Sequence, residues 1–93
     1  MFVYVIRSTN LEQPLWKIGH SNNPDRRLKE LQTGCPFKIA VYDRIICNNH
    51  MEIEQVMHDK LSPHRQRGGR EWYRVTQELI DIVLFEVRSR HMI

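Results

Sequence analysis

The chain has 93 residues, 41% of them hydrophobic, with 14 Lys and Arg against 11 Asp and Glu for a formal net charge of +3. That length supports one core, so residues 1–93 are expected to form a single domain, and no apolar run nears the roughly 20 residues of a membrane span. Met1 to Ile6 is too short for a secretory leader, and Cys35 and Cys47 form neither a CxxC pair nor a disulfide framework, so a soluble cytoplasmic protein with no membrane partner is expected.

Phe2 to Ile6 has the β-branched and aromatic content of a strand, broken at Ser8-Thr9-Asn10, and Leu15 to Gly19 reads as its antiparallel hairpin partner. A helix follows with clear ends: Asn23 can cap it, Pro24 suits its first position, and Gly34 can close it. Lys38 to Cys47 predicts a third strand. His50 to Leu61 places Ile53, Val56, Met57 and Leu61 at helical spacing. Glu71 to Val75 is either a short strand or a docked loop. Thr76 can cap a last helix reaching about Arg88, whose run from Leu79 to Val87 is more apolar than one buried stripe needs. A partner chain, such as the second copy of a homodimer, would cover that surplus. The expected architecture is α+β: a small three-stranded antiparallel sheet flanked by about three helices.

Several polar residues stand out by position. Taking about 100° per residue, Arg27 lies about 40° from Leu31 and so borders the buried face, whereas Arg26 points to water. Arg27 could therefore fix its guanidinium above the sheet for a phosphate, or simply snorkel as a structural arginine. Glu54 and His58 are i,i+4 neighbours, and Glu54 lies beside the apolar face with its carboxylate near the surface. A lone carboxylate can anchor one hard divalent cation if water and phosphate complete the shell. His58 is a secondary candidate, better suited to orienting a neighbour than to ligating a metal. Glu52 reads as a surface charge, Cys35 and Cys47 as small core hydrophobes, and Gly19 as a turn residue ahead of the helix. Lys60, Arg65, Arg67, Arg70 and Arg74 face the single acid Glu71 in a stretch broken by Pro63, Gly68 and Gly69. Such a basic loop can follow a phosphate backbone, or only keep the surface solvated.

The order Val3-Tyr4-Val5, Lys17-Ile18-Gly19, Arg27 and Glu54, followed by "EQVMHDKL" and "GGREWYRV", resembles the GIY-YIG nuclease superfamily over roughly residues 2 to 76. The likeness is to its small stand-alone phage and bacterial branch, with KIG in place of YIG, and the setting it implies is phage, mobile element or host repair. The resemblance implies a metal-dependent endonuclease acting on DNA, with RNA left open as a substrate. It implies Tyr4 as general base, Lys17 and His20 assisting, Arg27 on the scissile phosphate, and Glu54 holding Mg²⁺ or Mn²⁺. A phenol near its ordinary pKa of about 10 is a poor base, and the Lys17 ammonium across the hairpin would favour its phenolate. Arg26, Lys60, Arg65, Arg67 and Arg70 would contact the nucleic-acid backbone. Some restriction enzymes resembling the family also carry this lysine with a histidine three residues on, where His20 stands. A nucleic-acid-binding module without catalysis is the alternative, supported by lysine replacing the motif tyrosine. Trp72 and Tyr73 are expected to lock the last segment to the core, and Trp16 could pack or stack on a base.

Overall fold

The computed structural model describes residues 1–65 and 72–91. Four strands, β1 (Phe2–Ser8), β2 (Leu15–Ser21), β3 (Ile39–Ile46) and β4 (Trp72–Arg74), alternate with three helices, α1 (Pro24–Thr33), α2 (His50–Leu61) and α3 (Gln77–His91). All neighbouring strands are antiparallel in the order β3-β1-β2-β4. The class is the expected α+β, but the sheet gains a fourth strand. Its source is the short aromatic segment, which among the described residues pairs with Leu15, Trp16 and Lys17 of β2.

Local chemistry sets the helix ends. Asn23 Oδ1 accepts from the Arg26 backbone N–H at 3.2 Å, and Pro24, with no N–H to satisfy, starts α1. Thr76 Oγ1 likewise accepts from the Leu79 N–H at 3.3 Å, and α3 continues past the expected end near Arg88 to His91. Among the described residues, no helix is long and apolar enough to cross a membrane.

Directly paired residues of antiparallel strands share a face, so the register sorts the side chains. Tyr4 opposite Gly19 and Ile6 opposite Lys17 look toward α1; Val3 opposite His20, Val5 opposite Ile18 and Arg7 opposite Trp16 look the other way. On the α1 face, Tyr4, Ile6 and Ile39 pack with Leu28, Leu31, Phe37 and Trp72. The opposite face carries the larger core, where Val3, Val5, Trp16 and Ile18 meet Ile53, Met57 and Leu61 of α2 and Ile80, Val83, Leu84 and Val87 of α3. Each such aliphatic side chain contributes about 1.5–3 kcal/mol on full burial, so this second layer dominates the stability. Trp16 is a core residue, its buried indole N–H donating to the Val75 carbonyl at 2.9 Å. Trp72 packs edge-on against Phe37 with ring centroids 5.2 Å apart. The free thiols Cys35 and Cys47 are half-buried beside the two cores, on opposite faces. Of the apolar surplus on α3, Ile82 and Phe85 remain 54% and 72% exposed.

A bulge ties α3 to the sheet. The register skips between Val5, opposite Asp43, and Ile6, opposite Val41, leaving Tyr42 as the extra residue. Tyr42 and Asp43 can then both reach α3, although strict alternation would send them to opposite faces. The Tyr42 hydroxyl donates to Asp81 Oδ1 at 2.6 Å, and the Arg88 guanidinium donates to both Asp43 oxygens at 2.8 and 2.9 Å. The Asp81 carboxylate raises the Tyr42 pKa, and the Arg88 hydrogen bonds hold the Asp43 carboxyl below its ordinary value.

A depressed folded-state pKa means that Asp43 stabilises the fold above its unfolded value of about 3.9, and that this contribution disappears as pH falls through the folded value. Arg88→Met should remove about 0.5–1 kcal/mol at neutral pH, a figure already reduced for screening at the half-exposed guanidinium. Thermal melts between about pH 6 and pH 2 should show a lower Tm for the variant at neutral pH, by about 4–8 °C per kcal/mol, with the curves converging in acid. Parallel curves would mean that the pair does not set the acid response.

Candidate functional site

Tyr4 and Gly19 face each other across the hairpin, and the fit between them is tight. A methyl group built on Gly19 would lie 2.3 Å from the Tyr4 hydroxyl oxygen and 2.5 Å from Cζ. The expected turn role for Gly19 is therefore corrected: it lies inside β2, and the phenol passing over it excludes any side chain. Tyr4 itself is only 3% exposed. Its oxygen is hydrogen-bonded to Arg27, which raises the guanidinium pKa, and Glu30 adds to the effect.

Arg27 projects from the first turns of α1 at the boundary between core and solvent, with its Nη1 3.2 Å from Glu30 Oε2. Arg26 reaches water and pairs with Glu30 at 3.5 Å. Lys17 is buried despite its charge. It is 7% exposed, directly opposite Ile6 and diagonal to Tyr4, with its ammonium 5.6 Å from the centre of the Trp72 ring.

The second half of the site lies on the other face of the sheet. His20 Nδ1 is 2.5 Å from Glu54 Oε2, and His58 Nε2 is 3.3 Å from Glu54 Oε1. His58 Nδ1 in turn meets the hydroxyl of the fully buried Tyr73. The His50 ring stands beside His20 with centroids 4.8 Å apart. The sequence reading missed His50 and the polar contact of Tyr73. Spacing gave one clue, since His50, Glu54 and His58 recur every fourth residue along α2 and so form a single stripe.

The structure thus joins Tyr4 to Arg27, and His20 to Glu54 and His58, but sets the two groups on opposite faces. Gly19 and His20 are adjacent in the chain and link them. β1 pairs with Ile18–Ser21 on one side, but β4 meets β2 on the other only as far as Lys17, so among the described residues the outer edge of Ile18–Ser21 has no strand partner, and both groups border that edge. Of the basic segment, Lys60 is held by Glu86 at 2.5 Å, Arg65 lies over the Tyr73 ring at 5.9 Å, and Arg67 and Arg70 fall outside the described residues.

No three metal-ligating side chains gather among the described residues. Glu54 is 20% exposed, and each of its oxygens receives one histidine nitrogen, leaving a further lone pair on each. That donor set fits a Mg²⁺-like ion whose remaining positions are filled by water and a substrate phosphate, and does not fit a cage built by protein alone.

These features define an α+β domain with a cationic–phenolic pair and a carboxylate–imidazole pair on the two faces of β2. The chain belongs to the T5orf172 domain family, whose model matches residues 1–88. This is a small phage-associated domain often linked to endonuclease-like folds, which suggests a nuclease or DNA-binding role. No curated protein and no solved structure matches the chain.

The Tyr4–Gly19 contact can be measured directly. Gly19→Ala is expected to destabilise the fold by about 1–3 kcal/mol in urea unfolding, as overpacking does. In a Tyr4→Ala background the same substitution should cost far less, because the obstructing ring is gone. Equal costs in both backgrounds would show that the phenol is not what demands glycine.

Proposed function

We propose that the protein is a GIY-YIG-type endonuclease that hydrolyses DNA phosphodiester bonds with the help of Mg²⁺ or Mn²⁺. One observation carries the reading: the Tyr4–Arg27 pair and the His20–Glu54 pair are joined through the consecutive residues Gly19 and His20 of β2. Family membership supports the same class of activity.

Each residue then has a task that its surroundings suit. Arg27 offers planar donors to the scissile phosphate. A phosphate arriving there competes with Tyr4 and Glu30 for the guanidinium and frees the phenol oxygen, which serves as general base. The Lys17 ammonium on the same face favours the phenolate, its proton having passed to solvent, and the phenolate takes a proton from the attacking water. His20 orients the attacking water. Glu54 would hold the divalent ion, which supplies counter-charge to the phosphoryl oxygens. Arg26, 79% exposed, and Arg65 are placed to meet the nucleic-acid backbone, and Lys60 contributes only after leaving Glu86.

A second reading, a nucleic-acid-binding module without catalysis, draws on the near-complete burial of Tyr4 and the division of the polar groups between two faces. Incubation with duplex, single-stranded and branched DNA, and with RNA, in Mg²⁺ or Mn²⁺ separates the two. Cleavage by the parent should fall by on the order of 10²–10³-fold in Arg27→Ala and Glu54→Ala, the scale of losing one electrostatic stabiliser. Salt-sensitive binding with no cutting would favour the module, and unimpaired variants would defeat the assigned roles.

A further inference from the structure

On the α2 face, four polar side chains form a continuous hydrogen-bonded line from the core to the surface. It begins at Tyr73, 0% exposed, whose hydroxyl contacts His58 Nδ1. It passes from His58 Nε2 to Glu54 Oε1 at 3.3 Å, and from Glu54 Oε2 to His20 Nδ1 at 2.5 Å. His20, with 46% of its side chain exposed, ends the line at the open edge of β2.

The direction of every hydrogen bond follows from what each group can donate. An ionised carboxylate only accepts, so both ring nitrogens facing Glu54 carry hydrogen: Nε2 of His58 and Nδ1 of His20. Neutral His58 then has a lone pair at Nδ1, and the Tyr73 hydroxyl donates to it. Neutral His20, with hydrogen on Nδ1, keeps its lone pair at Nε2. Reversing the line would require the Tyr73 hydroxyl to accept, and its own hydrogen would then need another acceptor inside the core.

We infer that Tyr73 and His58 are positioning residues: they orient Glu54 so that it fixes His20 as the Nδ1–H tautomer, with the Nε2 lone pair available to a water. For neutral rings facing an ionised carboxylate the tautomer follows from the contacts, whereas its value to catalysis rests on the proposed nuclease reading. The sequence pointed to Tyr73 only as a packing residue, yet its hydroxyl sets the polarity of the whole line. Partners that fix a histidine tautomer usually matter about as much as the groups they orient.

Long-range ¹H–¹⁵N ring correlations on the ¹⁵N-labelled full chain, at about pH 8 where free imidazole is neutral, test the inference. In the parent, His20 should show protonated Nδ1 with unprotonated Nε2, and His58 the reverse. Tyr73→Phe keeps the ring and removes the hydroxyl. His58 should then sample both tautomers, and the single-tautomer pattern of His20 should become averaged, with the circular dichroism melt showing a folded chain. On any DNA the parent cleaves, kcat should fall about tenfold with KM unchanged.

Should Tyr73→Phe fail to fold, His58→Gln and His58→Leu replace it. The glutamine amide can still donate to Glu54 and should preserve the His20 pattern, whereas leucine should lose it. A parent His20 protonated on Nε2, or a folded Tyr73→Phe whose two histidines match the parent, would overturn the inference. If the parent shows the expected tautomers but cuts no nucleic acid, the nuclease reading fails and the positioning inference stands.

Discussion

The alternation of side chains along β2 is the constraint on which the polar architecture depends. Lys17 and Gly19 point toward α1, and Trp16, Ile18 and His20 toward α2 and α3. A one-residue slip would put Trp16 and Ile18 under α1 and bring the Lys17 ammonium into the main core. Register is therefore enforced by the indole, which is both fully buried and bonded to the Val75 carbonyl. The same packing that fixes Trp16 fixes where Gly19 and His20 look. The cationic–phenolic and carboxylate–imidazole halves of the site are thus placed by hydrophobic energy, and neither needs strong mutual attraction to hold its position.

Charge pairing shapes how such a surface meets an anion. Arg44 is held by Asp25, Arg88 by Asp43, Lys60 by Glu86, and Arg26 and Arg27 by Glu30. Pairs at this exposure each contribute little, with a median of about 0–1 kcal/mol, so a polyanion can displace the carboxylate partner at low cost. Arg27 differs from the rest because its guanidinium also interacts with the buried Tyr4 oxygen. It is pre-positioned in a way that Arg26, 79% exposed, is not. Preorganised donors lose less freedom on binding, and this favours Arg27 over its neighbour as a phosphate clamp.

What could be read from the chain before folding was whatever local chemistry controls. The Asn23-Pro24 start of α1, the span of α2 and the β1–β2 hairpin follow from caps, spacing and residue type, and the wheel positions of Arg26 and Arg27 follow from helical geometry. What could not be read depends on contacts between distant segments. β4 is only three residues long, too short for any periodicity to appear, and its pairing needs Leu15–Lys17 to be present first. The burial of Lys17 is not legible in sequence because nothing nearby announces the Trp72 ring beside it. Gly19 was assigned to a turn because the demand for glycine comes from a phenol 15 positions earlier in the chain. His50 gives no sign of its role in the sequence, and Tyr73 reads there only as a packing residue, because their contacts join segments that only the fold brings together.

The open edge at Ile18–Ser21 is where these arguments converge. An unpaired strand edge invites association with other chains, and proteins usually cover or interrupt one. Here β4 covers the edge only beside the large core, where Trp16 and Tyr73 are paired, and among the described residues it leaves the polar end free. That end is short, carries Gly19, His20 and Ser21, and turns at once into α1, with Ser21 Oγ accepting from the Asn23 N–H at 3.0 Å. Those properties limit adventitious strand pairing without closing the surface. The same short end carries the Tyr4–Gly19 contact on one face and the His20–Glu54 contact on the other, so one strand terminus fixes the geometry of both.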